Sequence, residues 1–213
     1  MTALRPKDAA TLIIVRDGRE VLMGRRHRRH AFMPERYVFP GGAVDRADSH
    51  LQPASALRPE VLEQLTAGCS APRARAIAMA GVRETFEETG LLLGLPTDRR
   101  PNSRSAAWRA FFDHGLAPHL ATLSYAARAI TPVRRPRRFD ARFFIVDACF
   151  MHGALVSNGE LEDLRWWPIA EAQKLEMARI TAHMLASLPQ ILSHPPRGPV
   201  PLFRTRKHNR TVV

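Results

Sequence analysis

Three carboxylates, Glu84, Glu87 and Glu88, crowd into five consecutive positions of a chain that is otherwise strongly basic. At 100° per residue they share one narrow face of a helix, with Ala78, Met79, Val82 and Phe86 gathered opposite, so the pattern predicts acid outward and apolar residues inward. Gly90 can take the left-handed conformation that ends a helix, which sets the acids in the last turns, at the negative end of the dipole. Like charges at i,i+4 cost only about 0.2–0.5 kcal/mol per pair on an exposed face, so repulsion does not separate a solvated stripe from a site. The surroundings say more. Ala80 and Gly81 are small enough for another backbone or a phosphate to approach, and upstream Phe39-Pro40-Gly41-Gly42 reads as a turn that presents bare carbonyl oxygens. Carboxylates, a carbonyl and waters make the hard oxygen site that Mg²⁺ or Mn²⁺ prefers.

The elements that must position these groups read as follows. Residues 10–15 and 20–24 are apolar strands around the turn 16–19, a hairpin signal, and 25–30 is a basic loop. Residues 37–39 form a short strand leading into the glycine pair. Pro59 opens a short helix over 59–65, and the acidic helix runs from about 72 to 89. Trp108, Phe111 and Phe112 have helical spacing within 106–113. Residues 116–129 are open between helix and strand, with a strand near 126–131. Strands are expected at 139–148 and 161–167, a helix start at 168–177 and helix at 181–192. From His194 on, prolines and the cations Arg197, Arg204, Arg206, Lys207 and Arg210 suggest a lightly packed or disordered tail.

The glycine pair followed by Arg83-Glu84-Thr85-Phe86-Glu87-Glu88-Thr89-Gly90-Leu91 resembles the signature box of the Nudix hydrolases, enzymes that cleave a nucleoside diphosphate linked to another group. The second half of the box matches throughout. In the first half Asp48 stands where the box has Glu, and Arg83 comes 35 residues beyond it, which implies an insertion of roughly 27 residues over about 49–75. A subset of the family resembling the coenzyme A ester hydrolases carries an insertion there and shares Phe39 to Gly42, Arg83 to Glu88 and Arg138 to Phe144. The resemblance implies an α/β fold, a Nudix-like α/β/α sandwich with a mixed β-sheet and extra helices. One such domain is expected over 1–193, followed by the basic tail 194–213.

The implied reaction is metal-dependent hydrolysis of a pyrophosphate bond, with coenzyme A or its esters among the candidate substrates and Mg²⁺ or Mn²⁺ as cofactor. Glu84 and Glu88 are the first ligands expected, Glu87 the third, and the Gly41 carbonyl is carried over from the family's first glycine. Arg83, four residues before Glu87, can hold it by an ion pair. Carboxylates committed to metal are poor bases, so Glu160 is the expected loop-borne base, with Asp147, Glu162 and Asp163 as rivals. For the substrate, the expected contacts are Arg25, Gly42, Arg138 and Arg142. Arg25 corresponds to the arginine of the family's coenzyme A motif, although Arg26 and Glu35 stand where that motif has small or hydroxyl residues and a glycine.

Composition bounds the alternatives. With 213 residues and 45% hydrophobic content the chain can fill a globular core, and the net charge of +12 fits anionic ligands. It also fits a second reading, a Nudix-like ligand sensor or nucleic-acid-binding regulator without hydrolytic activity. Only Lys7, Lys174 and Lys207 are lysines, so part of the charge reflects arginine-rich composition, and the few aromatics are not interleaved with arginine, which argues against nucleic acid as partner. Cys69 and Cys149 fit free thiols. No apolar run suits a membrane span or a signal peptide, so a cytoplasmic protein acting on a small nucleotide or coenzyme A-type substrate is expected, and family habit implies a homodimer. His27 and His30 read as solvated surface.

Overall fold

The computed structural model describes residues 4–29, 33–133, 135–196 and 198–204. His30, Arg197, Arg206, Lys207 and Arg210 lie outside them.

The chain opens with strands β1 (Lys7–Arg16) and β2 (Glu20–Arg26), which form the expected hairpin with Val15 opposite Val21. The tight turn between them has Asp17 and Gly18 both at positive φ, the primed geometry that matches strand twist. Strands β3 (Tyr37–Val38) and β4 (Gly41–Ala43) follow. After a short 3-10 helix at Arg46–Ser49 come helix α1 (Pro59–Thr66) and helix α2 (Ala71–Thr89). Strand β5 (Leu92–Pro96), helix α3 (Ala106–Asp113), strand β6 (Leu116–Pro118) and strands β7 (Ser124–Ile130) and β8 (Phe139–Asp147) come next. Strands β9 (Met151–His152) and β10 (Leu161–Pro168), helices α4 (Ile169–Ala172) and α5 (Arg179–Ser193), and strand β11 (Leu202–Arg204) complete the order.

The main sheet runs β10-β2-β1-β8-β7-β11, with β3 on β2 and β4 on β1, and a smaller sheet runs β6-β5-β9. It is mixed: β1 lies parallel to β8, and β7 to β11, among antiparallel neighbours. Strand β1 is apolar from Ala9 to Val15 apart from Thr11, as suits a strand covered on both faces. Ala10, Leu12 and Ile14 pack with α1, α2 and α3, whereas Ile13 and Val15 pack with Met184, Leu185 and Leu188 of α5. These are the expected layers, helices on both sides of a mixed sheet.

One edge of β1 is shared. Its far end pairs with β2, and Ala9, Ala10 and Thr11 pair with Ala43, Gly42 and Gly41 of β4. The glycine pair is therefore strand and not the expected turn, because β1 supplies a partner from thirty residues upstream. Arg25 and Arg26, expected in a loop, end β2 as strand paired to β10. The segment 116–129 resolves into β6, a 3-10 turn at Leu120–Thr122 and β7. Only Ile169–Ala172 of 168–177 is helical. Within the 194–213 tail, Leu202–Arg204 joins the sheet as an edge strand beside β7.

The segment 49–75 contributes to the core: Leu51, Leu57, Val61 and Leu65 are buried against α2 and α3. Helix α2 lies close on the sheet because Gly81 has no side chain; a Cβ there would sit 2.3 Å from Leu12 Cδ1. What the small residue admits is thus the Leu12 side chain of β1 and not a backbone. The helix ends at Gly90, φ 72°, as its sequence predicts. No described helix is long and apolar enough to cross a membrane, and both cysteines are free thiols.

Candidate active site

At the C-terminal end of α2 the acidic face turns inward. Glu88 is only 6% exposed, and its Oε2 accepts the Gly41 N–H at 2.9 Å. Glu84 lies directly over Gly42, where a Cβ would come within 2.4 Å of Glu84 Cδ, so only glycine leaves room for the carboxylate. The expectation of acid outward is thereby corrected. Beyond its first turns the helix is largely covered, and toward its C-terminal end Glu84, Phe86 and Glu87 remain partly exposed. Burial pushes Glu88 up to about 8, with the nearby Glu84 charge adding to it against the Gly41 N–H bond. Burial also raises Glu84, opposed by Arg83 and reinforced by Glu87.

Arg83 organises the rest. Its Nη1 donates to Glu84 Oε1 at 2.9 Å and to Glu87 Oε2 at 2.5 Å. Its Nε and Nη2 grip the two oxygens of Asp48 at 2.9 and 3.1 Å, and Nη2 also donates to the Ala43 carbonyl at 2.9 Å. Burial alone would lower the guanidinium, but the Asp48 bonds together with Glu84 and Glu87 hold it above its usual range. Asp48 is fully buried and is itself held by Trp108 Nε1–H at 2.8 Å and by the Asp45 N–H at 2.7 Å. Sequence reasoning placed Asp48 in the box without giving it a partner, and read Trp108 only as an apolar helix position. The buried Asp–Arg pair, 35 residues apart, ties the residue that precedes the segment 49–75 to α2 beyond it.

The donor set of Glu84, Glu88 and Glu87 is oxygen-only, the chemistry that suits a hard divalent cation. Among the described residues no three His, Cys, Asp or Glu side chains converge as a closed cage. Arg83 Nη1 is shared between Glu84 and Glu87, while Glu84 and Glu88 meet at the glycine pair.

Glu160 sits exposed in the turn before β10, its backbone carbonyl accepting the His27 N–H at 3.2 Å. Its charge is coupled to Glu88 and to Arg26. Its rivals are engaged elsewhere: Glu162 with Arg25 at 2.9 Å, Asp163 with the Tyr37 O–H at 2.7 Å, and Asp147 with the Cys149 N–H at 2.8 Å.

The four expected substrate contacts divide. Gly42 lies at the acids. Arg25 does not, since alternation along β2 sends Leu22, Gly24 and Arg26 to the α2 side and Val21, Met23 and Arg25 to the α5 side. Arg26 is the cation at the acids: burial lowers it, and Glu88, Glu160 and Glu84, in that order, oppose this. The signal for Arg26 was present in the period of two, but reading it required knowing which face α2 covers. Arg138 is tied to the Thr131 and Leu4 carbonyls, and Arg142 to Asp8 and Asp140, at the other end of α2.

No family model matches the chain. An acyl-coenzyme A diphosphatase, NUDT19, of Xenopus laevis is 27% identical over 206 residues, covering 72% of this chain and 53% of that protein. The same-named protein of Gallus gallus is 27% identical over 179 residues, covering 59% and 47%. The chain thus spans about half the length of these relatives. A solved Nudix hydrolase from Alicyclobacillus acidocaldarius shares the fold at a TM-score of 0.70 with 26% identity, covering 93% of this chain and 100% of that one. The chain is similar in sequence to these diphosphatases and shares the fold of that Nudix hydrolase. Within this fold Arg83, Glu84, Glu87 and Glu88 stand on α2 against the glycine strand β4, and residues 49–75 lie between Asp48 and Arg83.

Proposed function

We propose that the chain hydrolyses a pyrophosphate bond in a nucleoside diphosphate linked to another group, with coenzyme A or an acyl ester of it as the substrate class. The observation that carries this reading is the meeting of Glu84 and Glu88 at Gly41 and Gly42, beside Arg26 and Glu160. The names of the similar proteins from Xenopus laevis and Gallus gallus support the coenzyme A class.

Glu84 and Glu88 would hold Mg²⁺ or Mn²⁺, with Glu87 and the Gly41 carbonyl as further ligands. The ion, when bound, neutralises charge on the pyrophosphate oxygens. Arg83 fixes the rotamers of Glu84 and Glu87 from one Nη1, and Asp48 fixes Arg83. Arg26 faces the acids from β2 and is the cation placed to meet a substrate phosphate. Water attacks phosphorus, the bond to the leaving phosphate oxygen breaks, and Glu160 takes the proton from the water. A base on a loop outside the metal cluster keeps its lone pair for that proton.

The test is a panel of coenzyme A, acyl-coenzyme A, NADH, ADP-ribose and nucleotide sugars with Mg²⁺ and Mn²⁺, products identified by mass. Release of 3′,5′-ADP from coenzyme A, abolished in Glu88→Gln with the fold retained, is the expected outcome. If no member of the panel turns over while DNA or RNA binds tightly at physiological salt, the sensor reading replaces this one.

A further inference from the structure

A cavity of about 890 Å³ opens at the N-terminal end of α2, against the start of β1 and the neighbouring parts of β7 and β8. Its size lies in the range of small-molecule sites, roughly 300–1,000 Å³. It contains none of the box carboxylates. Arg73, on its rim, precedes Glu84 by eleven residues of one helix, roughly 16 Å at 1.5 Å per residue.

Its wall is an ordered ladder of opposite charges. Arg73 Nε bonds Asp8 Oδ2 at 2.6 Å, and Asp8 also binds Arg142. Arg142 reaches Asp140 Oδ1 at 3.2 Å, and Asp140 is gripped from its other side by Arg128 through Nε and Nη2 at 2.8 and 2.6 Å. Arg128 and Arg142 stand directly opposite each other on β7 and β8, a like-charge pair that Asp140 bridges. Burial pushes the Asp8 carboxyl up, but its bonds to Arg73 and Arg142 bring it below the usual range, so it remains ionised. Two carboxylates therefore serve three guanidiniums.

The surplus is not neutralised nearby. Arg5 and Lys7 also line the cavity and make no ion pair among the described residues, so the lining holds three more cations than carboxylates. Arg73 uses only Nε and Arg128 leaves Nη1 without a hydrogen bond, so both have N–H groups to offer a ligand. The N-terminus of α2 adds to the same sign: its N-cap Ser70, which lines the cavity, makes no side-chain cap, and the first turn carries no acid. Guanidiniums already held in place by carboxylates lose little freedom when an oxyanion docks, and their planar N–H fork matches a pair of phosphate oxygens.

We propose that this cavity is a second, metal-independent binding site for a small molecule bearing a diphosphate or two phosphate groups, separate from the acid end of α2. The probe is inorganic pyrophosphate, titrated by calorimetry into the full chain in metal-free buffer at physiological salt. One pyrophosphate per chain is expected, with affinity unchanged in Glu84→Gln/Glu88→Gln and reduced about tenfold or more in Lys7→Ala/Arg73→Ala. Both altered residues of the second variant are at the surface, circular dichroism checks its fold, and Arg73→Lys should restore part of the affinity. Absence of binding overturns the proposal. So does binding lost in the glutamate variant and kept in the lysine–arginine variant, or RNA binding at this cavity without pyrophosphate binding. Because no metal or turnover enters the measurement, its failure leaves the hydrolase reading standing, and the reverse also holds.

Discussion

The two ends of α2 are built from the same material in inverse proportion. At the C-terminal end one guanidinium, Arg83, serves three carboxylates, Asp48, Glu84 and Glu87, with Glu88 beside them. At the N-terminal end two carboxylates, Asp8 and Asp140, serve Arg73, Arg128 and Arg142. At each end the surplus has the same sign as the helix dipole there, negative with negative and positive with positive. Ion pairing alone would have balanced both ends. The surplus is what remains for a ligand of opposite charge, a cation at the acid end and an anion at the basic end.

The strongest way to break the comparison is to remove what fixes Arg83. Asp48→Ala leaves a buried guanidinium short of its main partner and should destabilise the fold by about 3–5 kcal/mol in urea titration, with Asp48→Asn costing less. Next comes the acid end itself: Glu88→Gln should lower hydrolysis at least about 100-fold while circular dichroism stays unchanged. The same residue predicts a pH signature. Glu88 titrates near 8 in the fold against an ordinary 4.5, so between those values the folded protein holds a proton that the unfolded chain has released. Metal-free stability should therefore be full below the ordinary value and decline as pH rises to about 8, at up to about 1.4 kcal/mol per pH unit, and Glu88→Gln should flatten the decline. Gly42→Ala, which forces the Glu84 carboxylate aside, should lower turnover about tenfold with less effect on stability. Smallest is Arg73→Ala at the basic end, a half-buried pair whose Asp8 keeps Arg142 as a partner, so its loss should cost about 1 kcal/mol and leave turnover unchanged.

What could be read from the sequence followed from local pattern. The β1–β2 hairpin, the bounds of α2 and the helix at 106–113 rest on turn residues, caps and periodicity within a few residues of one another. What could not be read depends on distant partners. Gly41 and Gly42 become strand only because β1 lies beside them, and Leu202–Arg204 becomes strand only because β7 does. The acids of the box were legible by type and spacing, yet their inward aim was not, because a helical wheel does not reveal that a helix is covered on both flanks. Arg25 and Arg26 are adjacent in sequence and on opposite faces of the sheet, and Arg142 lies in the recognised 138–144 motif yet packs at the far end of α2. Residue type identified the chemistry; face and end required the fold.

The buried Asp48–Arg83 pair also sets how freely this chain can change. By joining the two flanks of the segment that precedes the acid end, it makes the span from 49 to the start of α2 a closed loop whose length is uncoupled from the position of Glu84 and Glu88. Doubling a flexible loop costs only about 0.6 kcal/mol in closure entropy. That stretch can therefore serve as an exchangeable cassette, open to insertion, trimming or replacement, provided the side chains that cover α2 are resupplied and the latch stays shut.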